Sequence, residues 1–237
     1  MAKFIGVLSG KGGVGKTTTS INLALAMSKK GTDVILLDGN LSSPNLSIHL
    51  GDIYHPVTIH DVLKDLHHIT NAIHNHEVGI KIIPAELSIN AMKSVDFEKL
   101  YSVLQDLHLH ADHVIIDGSP GLGRETEGII NMSDEIIIVS NPDLPSVLSA
   151  KRLKNFAEKK KKTVIGVLLT KHKSKFHTMK KEEVESLMET PVIGVIPEDK
   201  RFEHSIYYKQ PYLKLYPRRK ASKEFEKIAS ILTGRIL

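Results

Sequence analysis

The chain has no cysteine. That absence removes disulfide scaffolds, thiolate zinc sites, iron–sulfur clusters and cysteine nucleophiles together, and it agrees with a reducing cytoplasm. Long apolar runs are missing too: no stretch reaches the roughly 18 residues of a membrane-spanning helix. The opening MAKFIGVLSGKGG has one early lysine and a short apolar run broken by glycine, the pattern of a strand and not of a signal peptide. There is no internal repeat, no Pro/Gly/Ser-rich linker and no shift of composition along the chain. At roughly 150 residues per domain, 237 residues are therefore expected to form one domain, residues 1–237. Hydrophobic residues at 41% suffice for a substantial core, and charged residues at 25% match an ordinary soluble protein. Lys and Arg outnumber Asp and Glu by 32 to 27, a formal charge of +5, which is basic but far from histone-like.

Short runs nearly continuous in Ile, Val and Leu predict strands at 3–9, 33–38, 80–84, 113–117, 135–140, 163–170 and 192–197. Such runs suit strands buried on both faces. Helical patterns fill the gaps at 17–29, 59–66, 97–107, 124–131, 145–160, 181–188 and 222–232. The alternation predicts an α/β fold: a mostly parallel central sheet with helices on both faces. Ligands of parallel sheets sit at the carboxyl ends of strands. Two irregular segments leave such ends, the polar loop 39–58 and the basic stretch 171–181, and both are candidate site loops.

Gly10-Lys11-Gly12-Gly13-Val14-Gly15-Lys16-Thr17-Thr18 satisfies G-x-x-x-x-G-K-[ST]. It follows a predicted strand and opens a predicted helix, as a phosphate loop requires. Glycines allow a tight turn whose N–H groups, with the helix N-terminus, cradle phosphate oxygens. In that reading Lys16 reaches the β- and γ-phosphates, Thr17 binds Mg²⁺ and Thr18 donates to the α-phosphate. His113-Val114-Ile115-Ile116-Asp117 is an apolar strand ending in an acid, a Walker B pattern in which Asp117 holds Mg²⁺ through water.

The run KGGVGKTT resembles the deviant Walker A loop of the MinD/ParA family of ATPases, closest to archaeal MinD-like proteins. The resemblance covers nearly the whole chain, specific at 10–18 and weak between 50 and 110. It implies a P-loop nucleoside-triphosphatase fold, ATP or ADP with Mg²⁺ as cofactors, and an ATP-dependent homodimer in which Lys11 crosses to the partner's phosphates. The segment 118–125 looks like the family's second switch, with Gly118 where Ser is common and an amide near Gly121 sensing the γ-phosphate. The first switch keeps Asp38, Pro44, Asn45 and Leu46 but has Asn40 in place of a second acid that helps position or activate the attacking water. An amide holds a water but cannot take its proton, so slow hydrolysis is expected, with Asp38 sharing the role and contributing to the metal site. At the adenine end, Thr170 stands where the family often has Asn, and Ile196-Pro197-Glu198-Asp199 matches the IPED run of archaeal relatives, whose backbone lies along the base. The segment Asn141-Pro142-Asp143-Leu144-Pro145-Ser146 also matches and opens a helix at the implied dimer face.

Seven of the 13 histidines lie between His49 and His76. They show no repeated i, i+4 facial pattern, so a solvated helix surface is expected rather than a metal site. The basic runs 159–162, 171–181 and 218–220 raise a nucleic-acid footprint, but only six arginines are present and Phe176 is the single aromatic within these runs; a lysine-rich solvated surface is preferred. Phe225, Ile228, Ala229 and Leu232 share a face of the last predicted helix. Docking on the sheet is preferred there over a peripheral membrane contact. The expected function is a slow, cytoplasmic ATPase switching between monomer and homodimer to position an activator or cargo protein, as in cell division. Its rivals are a DNA-segregation ATPase on non-specific DNA and a nucleotide-binding scaffold with negligible turnover. Cluster carriers of the superfamily are excluded by the missing cysteines.

Overall fold

The structure is a computed structural model that describes residues 1–88, 97–173 and 178–234. Its centre is an eight-stranded sheet: β1 (Lys3–Ser9), β2 (Val34–Asp38), β3 (His74–His76), β4 (Ile80–Ile83), β5 (His113–Pro120), β6 (Glu135–Ser140), β7 (Thr163–His172) and β8 (Val192–Pro197). The order across the sheet is β3-β4-β2-β5-β1-β6-β7-β8. All pairings are parallel except β3 with β4. The predicted fold class and all seven predicted strands are therefore found. The strand that sequence patterning missed is β3, whose three residues, His-Asn-His, carry no apolar signal.

Side chains alternate between two cores. Phe4 and Leu8 of β1, Ile35 and Leu37 of β2, and Ile136 and Ile138 of β6 face one; Ile5 and Val7, Val34 and Leu36, and Ile137 and Val139 face the other. This is why the runs read as continuous: each face of the pleat is covered by helices. The first core takes side chains from α3 (Ile59–Leu63), α4 (Phe97–Gln105), α5 (Arg124–Met132), α6 (Leu144–Lys159) and α7 (Lys181–Met188). The second takes them from α1 (Lys16–Lys29), α2 (Leu46–Leu50), α9 (Tyr212–Leu215) and α10 (Lys220–Thr233). The short α2, α9 and α8 (Arg201–Tyr207) escape periodicity because a helix of one or two turns offers too few repeats. In α10, Phe225, Ile228, Ala229 and Leu232 are buried, so its apolar face is docked as the sequence favoured.

The histidine expectation needs correction. His60 and His76 are buried, and His55 and His74 bond the carbonyls of Asp52 and Val57 at 2.8 and 2.7 Å. The segment is packed structure at the sheet edge and not a solvated helix face. Among the described residues no group of three or more His, Asp or Glu side chains is placed to hold a metal ion.

Candidate functional site

The ends of β1, β2 and β5 converge, because Asp117 lies beside Val7 on one side and Asp38 on the other. β1 runs into the glycine loop, and α1 starts at Lys16 behind Gly15, which sits at φ +88°. That left-handed turn suits glycine and aims the start of α1 at the strand ends. Gly10 is required for a different reason: a Cβ there would lie 2.5 Å from the backbone carbonyl of Ser149 in α6.

Asp117 is the hub. It is 1% exposed and accepts from Lys16 Nζ at 2.8 Å, Thr17 Oγ1 at 2.6 Å and Ser20 Oγ at 2.9 Å. Lys16 is itself only 8% exposed, so the pair is a buried ion pair with hydroxyls satisfying the remaining carboxylate lone pairs. Such pairs persist only when hydrogen-bonded in this way. Ser20 carried no motif signal; its place one turn after Lys16 on the same helix face is the trace it leaves in the sequence.

Asp38 is fully buried. Oδ1 accepts the Asn40 N–H at 3.1 Å, and Oδ2 accepts the N–H groups of Asn45 and Leu46 at 3.1 and 3.0 Å. The carboxylate thereby folds the 39–45 loop around itself and starts α2. Burial, and next the like charge of Asp117, push its carboxyl up to about 7, against the pull of the Leu46 and Asn40 amides and the Lys16 ammonium. Asn40 is engaged at both ends of its amide. Ser119 Oγ shares its single proton between Asn40 Oδ1, at 2.9 Å, and the nearer Glu125 carboxylate, and Asn40 Nδ2 donates to the Ser43 carbonyl. Glu125, at the start of α5, bonds the Ser119 hydroxyl and accepts the Ser42 N–H at 2.8 Å, joining the two loops.

Of these groups Lys16, Thr17, Asn40, Ser43 and Asn45 line a cavity of about 620 Å³, a size typical of cofactor sites, with Asp117 and Asp38 buried behind them. Its wall brings together Lys11, Gly12, Gly13, Gly15, Lys16, Thr17 and Thr18 from the loop and α1, Asn40, Asn45 and His49 from the first switch, and Thr170, Lys171, Pro197, Glu198 and Asp199 from the far strands. Lys11, Gly12 and Gly13 are exposed at the mouth. Both predicted site loops therefore reach the cavity, 171–181 through Lys171; residues 174–177 lie outside the described part. Thr170 Oγ1 bonds the Val14 carbonyl at 2.5 Å and Lys171 Nζ the Gly13 carbonyl at 2.7 Å, so β7 pins the glycine loop from the side. Asp199 is anchored by Arg201 and by the Tyr212 hydroxyl at 2.7 Å, and Glu198 by Lys173. Gly121 is placed differently from expectation: its N–H donates to the Ser9 carbonyl at 2.9 Å, and Pro120 is the residue of that segment on the cavity wall. The lysines of 160 and 162 are spent elsewhere, on Glu127 and on the Asn131 and Ser133 carbonyls.

The donors around Asp117 are a hydroxyl and carboxylates, oxygen only, the set a hard cation such as Mg²⁺ prefers. Beside them stand a buried ammonium and a helix N-terminus, which together suit phosphate.

Known proteins share this arrangement. Residues 5–212 match the CobQ/CobB/MinD/ParA nucleotide binding domain. An ATP-binding protein of Methanocaldococcus jannaschii is 34% identical over 230 residues, 97% of this chain and 88% of that protein. The cell division ATPase MinD of Pyrococcus furiosus superimposes with a TM-score of 0.94 at 29% identity, covering all of both chains. The septum site-determining protein MinD of Pyrococcus horikoshii, solved with Mg-ADP, gives 0.93 at 28% identity over 98% of this chain and 96% of that one. The glycine loop, its acid-bound lysine and these likenesses lead to one conclusion: the chain belongs to the CobQ/CobB/MinD/ParA family and is an ATPase structurally like MinD.

Proposed function

We propose that the chain, as one domain, binds ATP with Mg²⁺ in this cavity, hydrolyses it slowly, and alternates between a monomer and an ATP-sandwich homodimer that positions a partner protein from the cytoplasm. The observation that carries the reading is the Asp117 hub behind Lys16 and Thr17 of the cavity wall. Lys16, held there at 2.8 Å, is the fixed charge for the phosphates, and the amides of 12–18 are their donors. Thr17 and Asp117, with Asp38 behind them, supply the oxygens for Mg²⁺. When bound, the metal neutralises phosphate charge and orients the terminal phosphate for attack.

Without a bound metal the Asp38 carboxyl stands near 7, against an ordinary value of 3.8. Its place between three amides restricts access to it, and Asn40 cannot take a proton at all. Slow turnover follows. Lys11 is exposed at the mouth, where a second subunit would meet it. The IPED segment, with Pro197 and Glu198 on the wall, supplies the base end, and Thr170, also on the wall, holds the glycine loop through the Val14 carbonyl. Docking of α10 leaves its apolar face unavailable to a membrane, which supports a protein partner over peripheral lipid contact. A second reading, a scaffold with negligible turnover, is favoured by the engagement of Asn40 at both ends.

Light scattering with Mg-ADP, with Mg-ATP and with Mg-ATP on a Lys11→Ala variant tests the cycle. A dimer with ATP alone, lost in the variant while a fluorescent ATP analogue still binds, is expected. A mass that ignores both nucleotide and Lys11 overturns it. Phosphate release, measured in parallel, separates slow turnover from none.

A further inference from the structure

We infer that His49 is a nucleotide-contacting residue of this cavity, and that nucleotide binding is coupled to its protonation. The inference rests on the nucleotide reading above and adds a residue that no motif contains. His49 sits in the last turn of α2, the helix started by the Asp38 carboxylate. Its side chain lines the main cavity and also a small cleft of about 10 Å³ beside it, shared with Thr18, Asn22, Ile206 and Gln210. It therefore stands between the first turn of α1 and α8.

Two observations set it apart from the packed histidines of its segment. His55, His60 and His74 have ring nitrogens bonded to backbone groups, whereas among the described residues neither ring nitrogen of His49 has a partner. And the cleft behind it holds an unpaired acceptor: Gln210 Oε1 is buried with no hydrogen-bond partner. An imidazolium needs two acceptors. A phosphate or ribose oxygen in the main cavity and Gln210 Oε1, directly or through one water, are those two; the cleft is at the size threshold for a single water.

The charges facing His49 are Lys16 from α1, Asp117 from β5 and Glu203 from α8. Asp38 of β2 stands beside Asp117, and Lys209 packs on Gly51 at the end of α2. Lys11 and Lys171 also line the cavity, and Glu198 and Asp199 are already paired with Lys173 and Arg201. Burial holds the ring below its ordinary value, Asp117 opposing and Lys16 reinforcing. A polyphosphate beside it reverses that balance, so binding takes up a proton.

Titration calorimetry of Mg-ADP at pH 6 and pH 8, in two buffers of different ionisation enthalpy, tests this on the wild type, His49→Gln and His49→Phe. The nucleotide's own phosphate and Asp38 titrate in all three proteins, so the difference between them isolates His49. Relative to either variant, the wild type is expected to gain affinity by a few-fold from pH 8 to pH 6, with about tenfold the ceiling for one pKa unit of coupling, and to take up more protons. Identical pH profiles and proton uptake in the three proteins overturn the inference while leaving the nucleotide reading intact. No binding by any of them at either pH overturns both. Matching urea unfolding curves establish that the variants are folded.

Discussion

Replacing Asp38 by Asn changes stability with opposite sign at the two ends of the pH range. The carboxyl is fully buried, and its pKa stands at about 7 against an ordinary 3.8. The folded state therefore holds this proton more tightly than the unfolded chain does. Between pH 4 and 7 the unfolded state ionises Asp38 freely and the folded state resists, so Asp38 lowers stability progressively as pH rises through that window. The difference of roughly 3 units corresponds to about 4 kcal/mol when the window has been crossed.

Asparagine has the same shape and no charge. With its amide oxygen in the place of Oδ2 it keeps the N–H groups of Asn45 and Leu46, but its NH₂ then faces the Asn40 N–H and one hydrogen bond is lost, a cost of about 1–2 kcal/mol. Urea unfolding should find Asp38→Asn less stable than wild type by about that amount at pH 4 and more stable by about 2–3 kcal/mol at pH 8. Midpoints must move at constant slope for the comparison to hold. Two stability profiles that run parallel from pH 4 to pH 8 would refute the reasoning, since they would mean that Asp38 titrates alike in both states.

Three further outcomes are expected. Lys16→Ala strands the buried Asp117 carboxylate with hydroxyl donors only, costing about 3–5 kcal/mol; adding Asp117→Asn should recover much of that in thermal unfolding, whereas nucleotide binding should stay lost. Gly10→Ala drives a Cβ to 2.5 Å from the Ser149 carbonyl, so α6 or the loop must shift, at about 1–3 kcal/mol, with weaker nucleotide binding by fluorescence titration. Asn40→Asp adds a proton acceptor beside Ser119 and is expected to speed phosphate release by about tenfold or more; an unchanged rate would show that Asn40 does not limit turnover.

What the sequence made legible has a physical boundary. Strands buried on both faces announce themselves as runs such as Val34–Asp38, because every position demands an apolar side chain. The glycine loop is legible because its chemistry is local: backbone turn, lysine and hydroxyl lie within nine consecutive residues, 10–18. Asp117 could be read from its place at a strand end. The rest of the site depends on partners distant in sequence. Ser20 meets Asp117 across 97 positions and Ser119 meets Asn40 across 79, and no local pattern encodes either. His49 looked like one histidine among seven, and only α2's docking beside Thr18 and Gln210 distinguishes it. The same boundary explains Asn40. Its chemistry, an amide where a proton acceptor was expected, was readable from the residue alone. Its contacts with Ser119 and Ser43 were not. On the proposed reading, an amide held at both ends brings a water to the phosphate only by releasing one of them, so breaking the Ser119 contact is expected to add to the effect of the missing base. Ser119→Ala on its own should therefore shift phosphate release, with Asn40 and its charge unaltered; an unchanged rate in that variant would leave the missing base as the whole of the effect.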